Sequence, residues 1–578
     1  MTMRAVIRVP HFWRSQASYA LAGIAETCGL SIGQDEGRSK AIGYLVYARP
    51  GQSIVLPNRV EGNFLVRIPF LGPEAPSPLW QEGWEPRSCL WEGEDTLLHV
   101  RSPVIPLPAG RVLARWTDDL RPSVVLHESK GLAVVEFSFD AIASFFTTIS
   151  QLDEDSIRAR DAHLRVPQEM TFPIVKNVSL NPIATDSALL VGKAIKAACG
   201  VTGTFLVVKA PWPVEVTGIA CVTHDVDSIR KWTVRRALSK ITRTFEATKR
   251  HNVSSPSKTM WAIIAEMAVR DPHQNLGDIR RLEMHHGIRA TYFLQMAKRG
   301  GHRDPRNLYS YRSRYLQRET RRLSAEGHEL ALHSTYESAD EPSRLREEAR
   351  RLSDMNVPAG ARQHYLRIHR GLWREQESCG LLYDSSVGYS DFVGFRSGAC
   401  HPYHPYNPET GQGFSLLEIP FAMMDSGIYQ SCRGKRAEME QSLTTLADIV
   451  SRRQGVLVSI WHNQYLDGAL VSRESLLEWW VASLKAKGWQ FWTMQRVARW
   501  WENRHRTEVL CHDPDTWGVV PHGDVEQFLL QCYGGRVGSV DGVARDAWSV
   551  KETNGFSILA IRGLRALSSV TVRREAPA

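Results

Sequence analysis

The decapeptide CVTHDVDSIR, residues 221–230, places His224, Asp225 and Asp227 directly after a short apolar run. A carboxylate is costly to bury unless it is paired with a cation or bound to a metal. Two carboxylates at the end of an apolar strand therefore favour a bound cation. Asp after a strand is also typical of a helix N-cap or an Asx turn, so the decapeptide alone leaves both interpretations open.

Four more apolar runs farther along the chain end in polar residues that can do chemistry. His333 follows ELAL, ARQHYLR contains Arg362, His364 and Arg367, Asp425 follows EIPFAMM, and His462 follows VLVSIW. In a (β/α) barrel the loops after the strands converge over one mouth, where groups from distant segments meet. Five such strand ends together predict a metal-dependent hydrolase.

The elements that must position these residues alternate between residues 216 and 504. The strand candidates are GIACVTHD, RATYFLQM, ELALHS, ARQHYLRIH, FSLLEIPFAMMD, VLVSIWHN and WQFWTM. Helical segments such as YLQRETRRLSAEG and SLLEWWVASLKAKG lie between them and end in Gly, as helix C-caps do. The alternation predicts an α/β fold with a seven-stranded (β/α) barrel.

The flanking regions follow other patterns. Residues 1–215 mix β-like runs such as AIGYLVYA with helical segments, which predicts an α+β accessory domain whose role the sequence does not indicate. Residues 505–578 contain the short runs SILAIRGL and SSVTVRRE, which predict a small β-rich appendage. We therefore predict three domains, 1–215, 216–504 and 505–578.

The composition excludes several classes of protein. The chain has 578 residues, 43% hydrophobic and 23% charged, which is typical of a soluble globular protein with more than one core. No window approaches the roughly 18 consecutive apolar residues of a membrane helix, so we expect no transmembrane segment and a cytoplasmic protein. Nine scattered cysteines without a C-x-x-C pair argue against a disulfide framework.

The net charge of +9 is spread along the chain rather than concentrated in one tract. Since no nucleic-acid motif accompanies it, we expect no nucleic-acid partner. A carbohydrate partner explains the positive net charge equally well, and this charge favours an anionic carbohydrate.

The motifs THDVD, GHELALHS, RQHYLR, YDSSVGYSDFVGFRSG, EIPFAMMDSG and IWHN, in this order, resemble the polysaccharide deacetylase family, carbohydrate esterases related to chitooligosaccharide deacetylase. The resemblance covers roughly residues 130–500. It is closest in character to a bacterial branch in which an N-terminal domain precedes the barrel. It implies a hydrolase that removes acetyl groups from N-acetylated sugars of a surface polysaccharide or its precursor.

The resemblance also implies roles for individual residues. Asp225 corresponds to the catalytic base and Asp227 to the metal-binding Asp. His333 corresponds to the first His ligand, Arg362 to the Arg that orients the base, and His462 to the general acid. The implied cofactor is a divalent metal ion, zinc by ligand type.

Two positions depart from the family pattern. The family has adjacent carboxylates in its first motif, whereas Val226 separates the two here; alternate residues of an extended segment share a side, so the spacing remains compatible. The second His ligand is expected four residues after His333, where this chain has Glu337. Either Glu337 or His364 completes the ligand set, and the i, i+2 spacing of His364 from Arg362 favours His364.

The remaining candidates lie beside these motifs. Arg367, Asp425 and Trp461 are at or next to strand ends and are predicted to bind substrate. We predict that His328 is a buried structural histidine. His401 and His404 lie in the Pro-rich CHPYHPYN loop, where contact with substrate is the less favoured interpretation.

Each role has a structural alternative. The two aspartates could cap a helix, Arg362 could be a buried ion-pair partner, and His462 could be a hydrogen-bonded core histidine. Two other functions also stay open: a barrel without turnover that serves as a glycan-binding or assembly module of polysaccharide synthesis, and a hydrolase of another carbon–nitrogen amide bond, as in allantoinase-like relatives.

Overall fold

A mixed sheet with helices precedes the region predicted as a barrel. The computed structural model describes residues 2–34, 41–52, 64–72, 84–91, 94–101, 104–129, 131–231, 242, 261, 271–297, 309–354, 360–466 and 471–576. Within these ranges the first sheet has nine strands in the order β2-β1-β3-β4-β9-β8-β7-β5-β6. Strands β1 to β9 are Thr2–Arg8, Ile32–Gln34, Ala41–Ala48, Phe64–Pro69, Trp84–Trp91, Glu94–Arg101, Arg111–Trp116, Pro122–Ser129 and Leu132–Phe137.

Helices pack on this sheet through small and apolar residues. Helices α1 to α5 are Arg14–Cys28, Ala141–Ile149, Leu152–Ser156, Phe172–Val175 and Ile183–Thr202. Helices α1, α2 and α5 contact one another, and the Ala-rich sequence of α5 permits close approach. Helix α2 begins after Asp140, whose carboxylate accepts a hydrogen bond from the backbone N of Ala143 at 2.9 Å.

The central region contains a parallel sheet that curls on itself. Strands β10 to β21 are Leu206–Lys209, Ile219–Val226, Thr291–Leu294, Glu329–Ser334, Ala361–Gln363, Tyr383–Asp384, Tyr406–Asn407, Gln412–Gly413, Leu417–Glu418, Met423–Met424, Val456–His462 and Gln490–Phe491. The sheet order is β18-β15-β14-β13-β12-β11-β20-β19, with β21 also paired to β11, and every pairing is parallel. The predicted α/β class with a parallel barrel-like sheet is confirmed.

The predicted number of seven strands is not confirmed, because the described part of the sheet has nine. One predicted strand, FSLLEIPFAMMD, divides into β18 and β19, and β15 was not predicted. Residues 419–422 connect the two ends of the sheet order: Ile419 N donates to Asp384 O at 2.9 Å and Ala422 N to Val458 O at 3.1 Å. A single segment therefore spans the opening of the curled sheet.

Amphipathic helices follow the strands, as the alternation predicts. Helices α6 to α13 are Leu276–His285, Arg314–Ala325, Pro342–Ser353, Arg370–Ser378, Asp425–Ser431, Arg436–Arg452, Val471–Ala486 and Met494–Arg506. In α7, RYLQRETRRLSA, the apolar Leu316 and Leu323 are buried while most of the arginines stay exposed. The helices thus cover the outside of the sheet and leave the strand ends to form the site.

The last part of the chain is β-rich. Strands β22 to β28 are Glu508–Asp513, Thr516–Val520, Val525–Tyr533, Val537–Asp541, Trp548–Glu552, Phe556–Leu564 and Val570–Arg574. They form the sheets β22-β23-β28-β25 and β10-β24-β27-β26. Because β10 pairs with β24, residues on both sides of the barrel region share one sheet; the domain boundaries at 215 and 505 stay predictions. Across the described helices, none has the length and apolar character needed to cross a membrane.

Candidate metal centre and active site

The polar residues at the end of strand β11 and directly after it face two different sides of the sheet. His224 is fully buried, and its Nε2 lies 2.7 Å from Glu283 Oε1, so it does not reach the cavity described below. Asp225 and Asp227, which alternate with it, line that cavity. The period-two alternation of an extended chain therefore separates His224 from the two aspartates.

A cavity of about 380 Å³ lies at the ends of the parallel strands, and we call it the mouth cavity. Among the residues that line it are five sequence-predicted site residues: Asp225, Asp227, His333, His364 and His462. The two that are farthest apart in the sequence, Asp225 and His462, are separated by 237 positions. The convergence of strand ends that the sequence predicts is therefore observed.

Three of these residues form a group with the chemistry of a metal site, which we call the mouth cluster: Asp227, His333 and His364. Asp227 Oδ1 lies 3.1 Å from His333 Nε2 and 3.5 Å from His364 Nε2. One ligand atom from each residue lies within 4.8 Å of the others. Glu337, the alternative third ligand, does not line the cavity in the part of the chain that the structure describes.

The hydrogen bonds of His333 fit a bound cation. Its Nδ1 donates to the carbonyl O of Arg362 at 2.9 Å, which leaves Nε2 to face Asp227. Burial lowers the pKa of His333, but the neighbouring carboxylates of Asp225 and Asp227 outweigh it and leave the pKa raised. A proton on Nε2 thus balances the carboxylates here, and a divalent cation held by the same three groups can replace it.

Asp227 is held as an anion. Burial raises its pKa, but the positive charge of His364, the hydrogen bond from His333 and the charge of His462 leave it well below the usual range. Its second oxygen, Oδ2, accepts a hydrogen bond from Gln464 Nε2 at 2.8 Å. The carboxylate is therefore ionised and oriented, as a metal ligand must be.

Asp225 is paired with a fully buried arginine. Arg362 Nη1 donates to Asp225 Oδ1 at 2.7 Å and to Thr223 Oγ1 at 2.9 Å. The guanidinium is fixed on its other side by Ser385 and stacks 4.0 Å from the ring centroid of Phe293. Burial raises the pKa of Asp225, but the charge of Arg362 outweighs it, so the pKa is lowered and the carboxylate stays ionised.

His462, at the end of β20, is paired with a buried carboxylate on α10. Its Nδ1 donates to Asp425 Oδ1 at 2.8 Å, and its backbone N donates to Asp425 Oδ2 at 2.8 Å. Burial lowers the pKa of His462, but the charge of Asp425 outweighs burial and raises the pKa to about 10. His462 Nε2 lies 3.8 Å from Asp227 Oδ2, so a protonated imidazole faces the mouth cluster.

His364 lines the mouth cavity and is followed by a strained turn. Strand β14 ends at Gln363, six residues before the end of the predicted strand ARQHYLRIH, and Tyr365 and Leu366 have φ of 58° and 54°. Residues other than glycine rarely adopt this left-handed backbone conformation, which costs roughly 1–2 kcal/mol per residue. Arg165 Nη1 donates to Tyr365 O at 2.7 Å, and His163 stacks on the Tyr365 ring at 4.2 Å. A segment that precedes the barrel thus supports the turn that carries a candidate ligand.

The predicted substrate-binding residues lie elsewhere. Trp461 is fully buried and its Nε1 donates to Ser459 Oγ at 3.1 Å. The guanidinium of Arg367 donates to Tyr336 O at 2.7 Å and to Asp340 Oδ2 at 2.8 Å. Among the described residues neither of these side chains, nor Asp425, lines the mouth cavity. Substrate contact by these three residues therefore stays a prediction: Trp461 is on the side of β20 that faces away from the cavity, and the Arg367 guanidinium already makes structural hydrogen bonds.

The other histidines named from the sequence are outside the mouth cavity. His328 is buried, and its Nδ1 accepts a hydrogen bond from Ala290 N at 3.1 Å, in agreement with a structural role. His401 is buried, with Nε2 3.1 Å from Gln454 O and its ring stacked on Trp501. His404 lines a different cavity, which is described below.

Sequence reasoning missed several residues that line the mouth cavity. Gln464 follows His462 at i, i+2 in IWHNQY, and that spacing was a usable signal. His163 and Arg165 also line the cavity, although they precede the barrel by about fifty residues. No local pattern in RDAHLR distinguishes them, because their role depends on how the two regions pack.

Comparisons with known proteins concern the fold. No family model and no curated protein matches the chain. Among solved structures, the chain is similar to a probable polysaccharide deacetylase from Pseudomonas aeruginosa PAO1, with 15% identity, 50% of this chain and 93% of that chain covered, and a TM-score of 0.34. It is also similar to Puue allantoinase, with 16% identity, 50% and 92% covered, and a TM-score of 0.33. A chitin deacetylase from the fungus Colletotrichum lindemuthianum shows 15% identity, 49% and 92% covered, and a TM-score of 0.26.

Proposed function

We propose that the chain is a metal-dependent hydrolase that removes acetyl groups from N-acetylated sugars of a surface polysaccharide or its precursor. The observation that carries the proposal is the grouping of Asp227, His333 and His364 within 4.8 Å, in the same cavity as two separately paired acid–base residues. A structural ion needs ligands alone. A hydrolase also needs a base for water and an acid for the leaving group.

The mouth cluster would hold the ion. Two imidazoles and one carboxylate are ligands that suit zinc, and three protein ligands leave a position open. When bound, a divalent ion polarises a carbonyl and lowers the pKa of a water to about 7. The remaining chemistry belongs to the side chains around it.

Asp225 acts as the general base. Arg362 Nη1 donates to Asp225 Oδ1 at 2.7 Å and keeps the carboxylate ionised. The second oxygen, Oδ2, can then take a proton from the attacking water. Asp225 Oδ2 lies 3.9 Å from His333 Nε2, next to the mouth cluster. The base is therefore positioned on the side where water and the acetamido carbonyl carbon meet.

His462 acts as the general acid. Asp425 keeps the imidazole protonated, and its Nε2 side faces the cavity. The bond between the carbonyl carbon and the amide nitrogen breaks as His462 gives its proton to the departing amine, which yields acetate and a free amino sugar. Asp425 acts through His462 and is a positioning residue.

The test is the Asp225→Asn variant of the full chain. We expect a loss of acetate release of about 10³-fold, the usual size for a general base, because the amide cannot take the proton of water. Zinc content should be unchanged, since the three ligands remain. Acetate is measured enzymatically with N-acetylated oligosaccharides as substrate, and zinc by elemental analysis.

The glycan-binding alternative gives a different result. A wild-type chain that binds the oligosaccharide but releases no acetate with zinc or with another divalent ion supplied would contradict the hydrolase. Release of ammonia or a ureido product from small amides, with no acetate from sugars, would favour the other carbon–nitrogen hydrolase.

The matched control for Asp225→Asn is Asp391→Asn. Asp391 lines the mouth cavity but is not assigned to catalysis.

A further inference from the structure

A second group of two imidazoles and one carboxylate lies outside the mouth cavity. It consists of Glu26 on α1, His404 in the segment between β15 and β16, and His505 near the end of α13, and we call it the helix cluster. One ligand atom from each lies within 4.8 Å of the others. We propose that the helix cluster is a zinc site that ties α1 to the barrel.

His404 has the hydrogen bonding of a metal ligand. Its Nδ1 lies 2.9 Å from the carbonyl O of Phe414 and donates to it, because a carbonyl only accepts. The proton is then on Nδ1, and Nε2 carries the lone pair. Nε2 is buried and has no hydrogen-bond partner within the described ranges of the chain. Ligating histidines are commonly held in this way, with the second nitrogen bonded to a carbonyl.

Glu26 supplies the negative charge. Its side chain is 11% exposed, and Oε1 is buried without a hydrogen bond from any described residue. The nearest cationic atom is His505 Nδ1, at 3.4 Å. A carboxylate with an unsatisfied buried oxygen is stabilised by a cation at this place.

The distances suit zinc. Ligand atoms at roughly 2.0–2.1 Å from a tetrahedral zinc are about 3.4 Å apart. The separation of Glu26 Oε1 and His505 Nδ1, 3.4 Å, already has this value. The other two separations reach at most 4.8 Å. The side chain of His505 is 48% exposed and can move to shorten its separation from His404.

The site has room for a fourth ligand. The three residues line a cavity of about 410 Å³ that shares no lining residue with the mouth cavity. Water completes the coordination there, as is usual where three protein groups bind zinc. The other charged residues lining this cavity, Glu502 and Arg506, pair with each other at 2.6 Å.

The ligands join three segments that already touch. Tyr19 on α1 donates its hydroxyl hydrogen to His404 O at 2.7 Å, and Arg504 Nη1 donates to Glu26 O at 2.7 Å. The contacts bring α1, the CHPYHPYN loop and α13 together without an ion. Zinc adds bonds between the same segments, so it is expected to raise the thermal stability of the folded chain.

The test measures zinc in the full-length protein after chelator treatment and reloading with zinc alone. Glu26→Gln should bind one zinc fewer per chain than the wild type, and the rise in melting temperature that zinc gives should shrink. In a His333→Gln background, which removes a mouth ligand, one zinc should remain and should be lost when Glu26→Gln is added. The difference is the same whether or not the mouth cluster binds an ion, so the two proposals fail separately.

Two further variants guard against misfolding and nonspecific binding. His505→Gln changes an exposed side chain, so it should fold normally and weaken zinc binding at least tenfold in competition with a chromophoric chelator. Glu508→Gln breaks a His522–Glu508 pair of 3.3 Å that has no third ligand among the described residues, and it should change nothing. Unchanged zinc content in Glu26→Gln, or unchanged affinity in His505→Gln, would overturn the proposal.

Discussion

The mouth cluster and the helix cluster contain the same ligand types but differ in what surrounds them. Both have two imidazoles and one carboxylate within 4.8 Å. Next to the mouth cluster stand the Asp225–Arg362 and His462–Asp425 pairs, each joined at 2.7–2.8 Å. Next to the helix cluster, the described charged residues Glu502 and Arg506 neutralise each other. This difference is why we propose an ion at both clusters but hydrolysis only at the mouth cluster, which has an acid–base pair on each side.

The strongest way to break this comparison is to remove the acid from the mouth. We expect His462→Gln to lower kcat for acetate release by about 10³-fold, because Gln can donate to Asp425 but cannot protonate the departing amine. Zinc content and melting temperature should stay close to those of the wild type, since no ligand is changed. Steady-state kinetics, elemental analysis and calorimetry measure the three quantities.

The same His-to-Gln change in the helix cluster gives the control. His505→Gln is expected to alter zinc affinity and zinc-dependent melting, the quantities that His462→Gln leaves alone. If His462→Gln lost zinc together with activity, His462 would be a ligand rather than an acid, and the contrast between the two clusters would disappear.

Many residues that line the mouth cavity could be predicted from the sequence, because the ends of parallel strands meet at one edge of the sheet. Asp225, Asp227, His333 and His462 each follow an apolar run, and no knowledge of packing is needed to bring them together. His364 was favoured over Glu337 because of its spacing from Arg362; in the structure β14 already ends at Gln363, and His364 lies directly before the left-handed residues Tyr365 and Leu366. The fold class and the parallel order of the strands follow from the same alternation.

The remainder depends on contacts between regions that are far apart in sequence. Glu26, His404 and His505 come close together only because α1 packs beside α13, and no spacing in the sequence predicts this. Two-residue strands such as Tyr383–Asp384 carry too little periodicity to be recognised. The side that a strand residue faces also depends on register, so the apolar run alone does not show that Trp461 and its neighbour His462 face opposite sides of the strand.

A second prediction concerns stability beside the helix cluster. Burial, with the charges of Arg504 and Arg453, lowers the pKa of His401 from 6.5 to about 4. Between pH 6.5 and about 4 the unfolded chain binds a proton that the folded chain does not, so stability falls as the pH falls through this range and levels off below it. The loss attributable to His401 is about 3 kcal/mol, at roughly 1.4 kcal/mol per pKa unit.

Chemical denaturation of chelator-treated protein at pH 4–7 measures this effect. His401→Gln should be less stable than the wild type at pH 7, because the stacking on Trp501 is lost, but its stability should fall less on acidification. Parallel curves for the two proteins would show that His401 does not titrate in this range. His328 provides a comparison: burial also lowers its pKa, but its Nδ1 lies 3.5 Å from Glu283 Oε2, a carboxylate that partly offsets the effect of burial.

The smallest effect is expected from Asp425, which has two interpretations: it holds His462 in place, or it binds substrate. If Asp425 holds His462 and does not touch substrate, Asp425→Asn should lower kcat by about tenfold, or about 1.4 kcal/mol, and leave KM unchanged. The amide keeps a hydrogen bond to the imidazole or to His462 N but removes the charge that keeps the ring protonated. Asp391→Asn, in the same cavity, controls for the loss of a carboxylate. A rise in KM with kcat preserved would instead support the sequence-based prediction that Asp425 binds substrate, and His462 would then need another partner to serve as the acid.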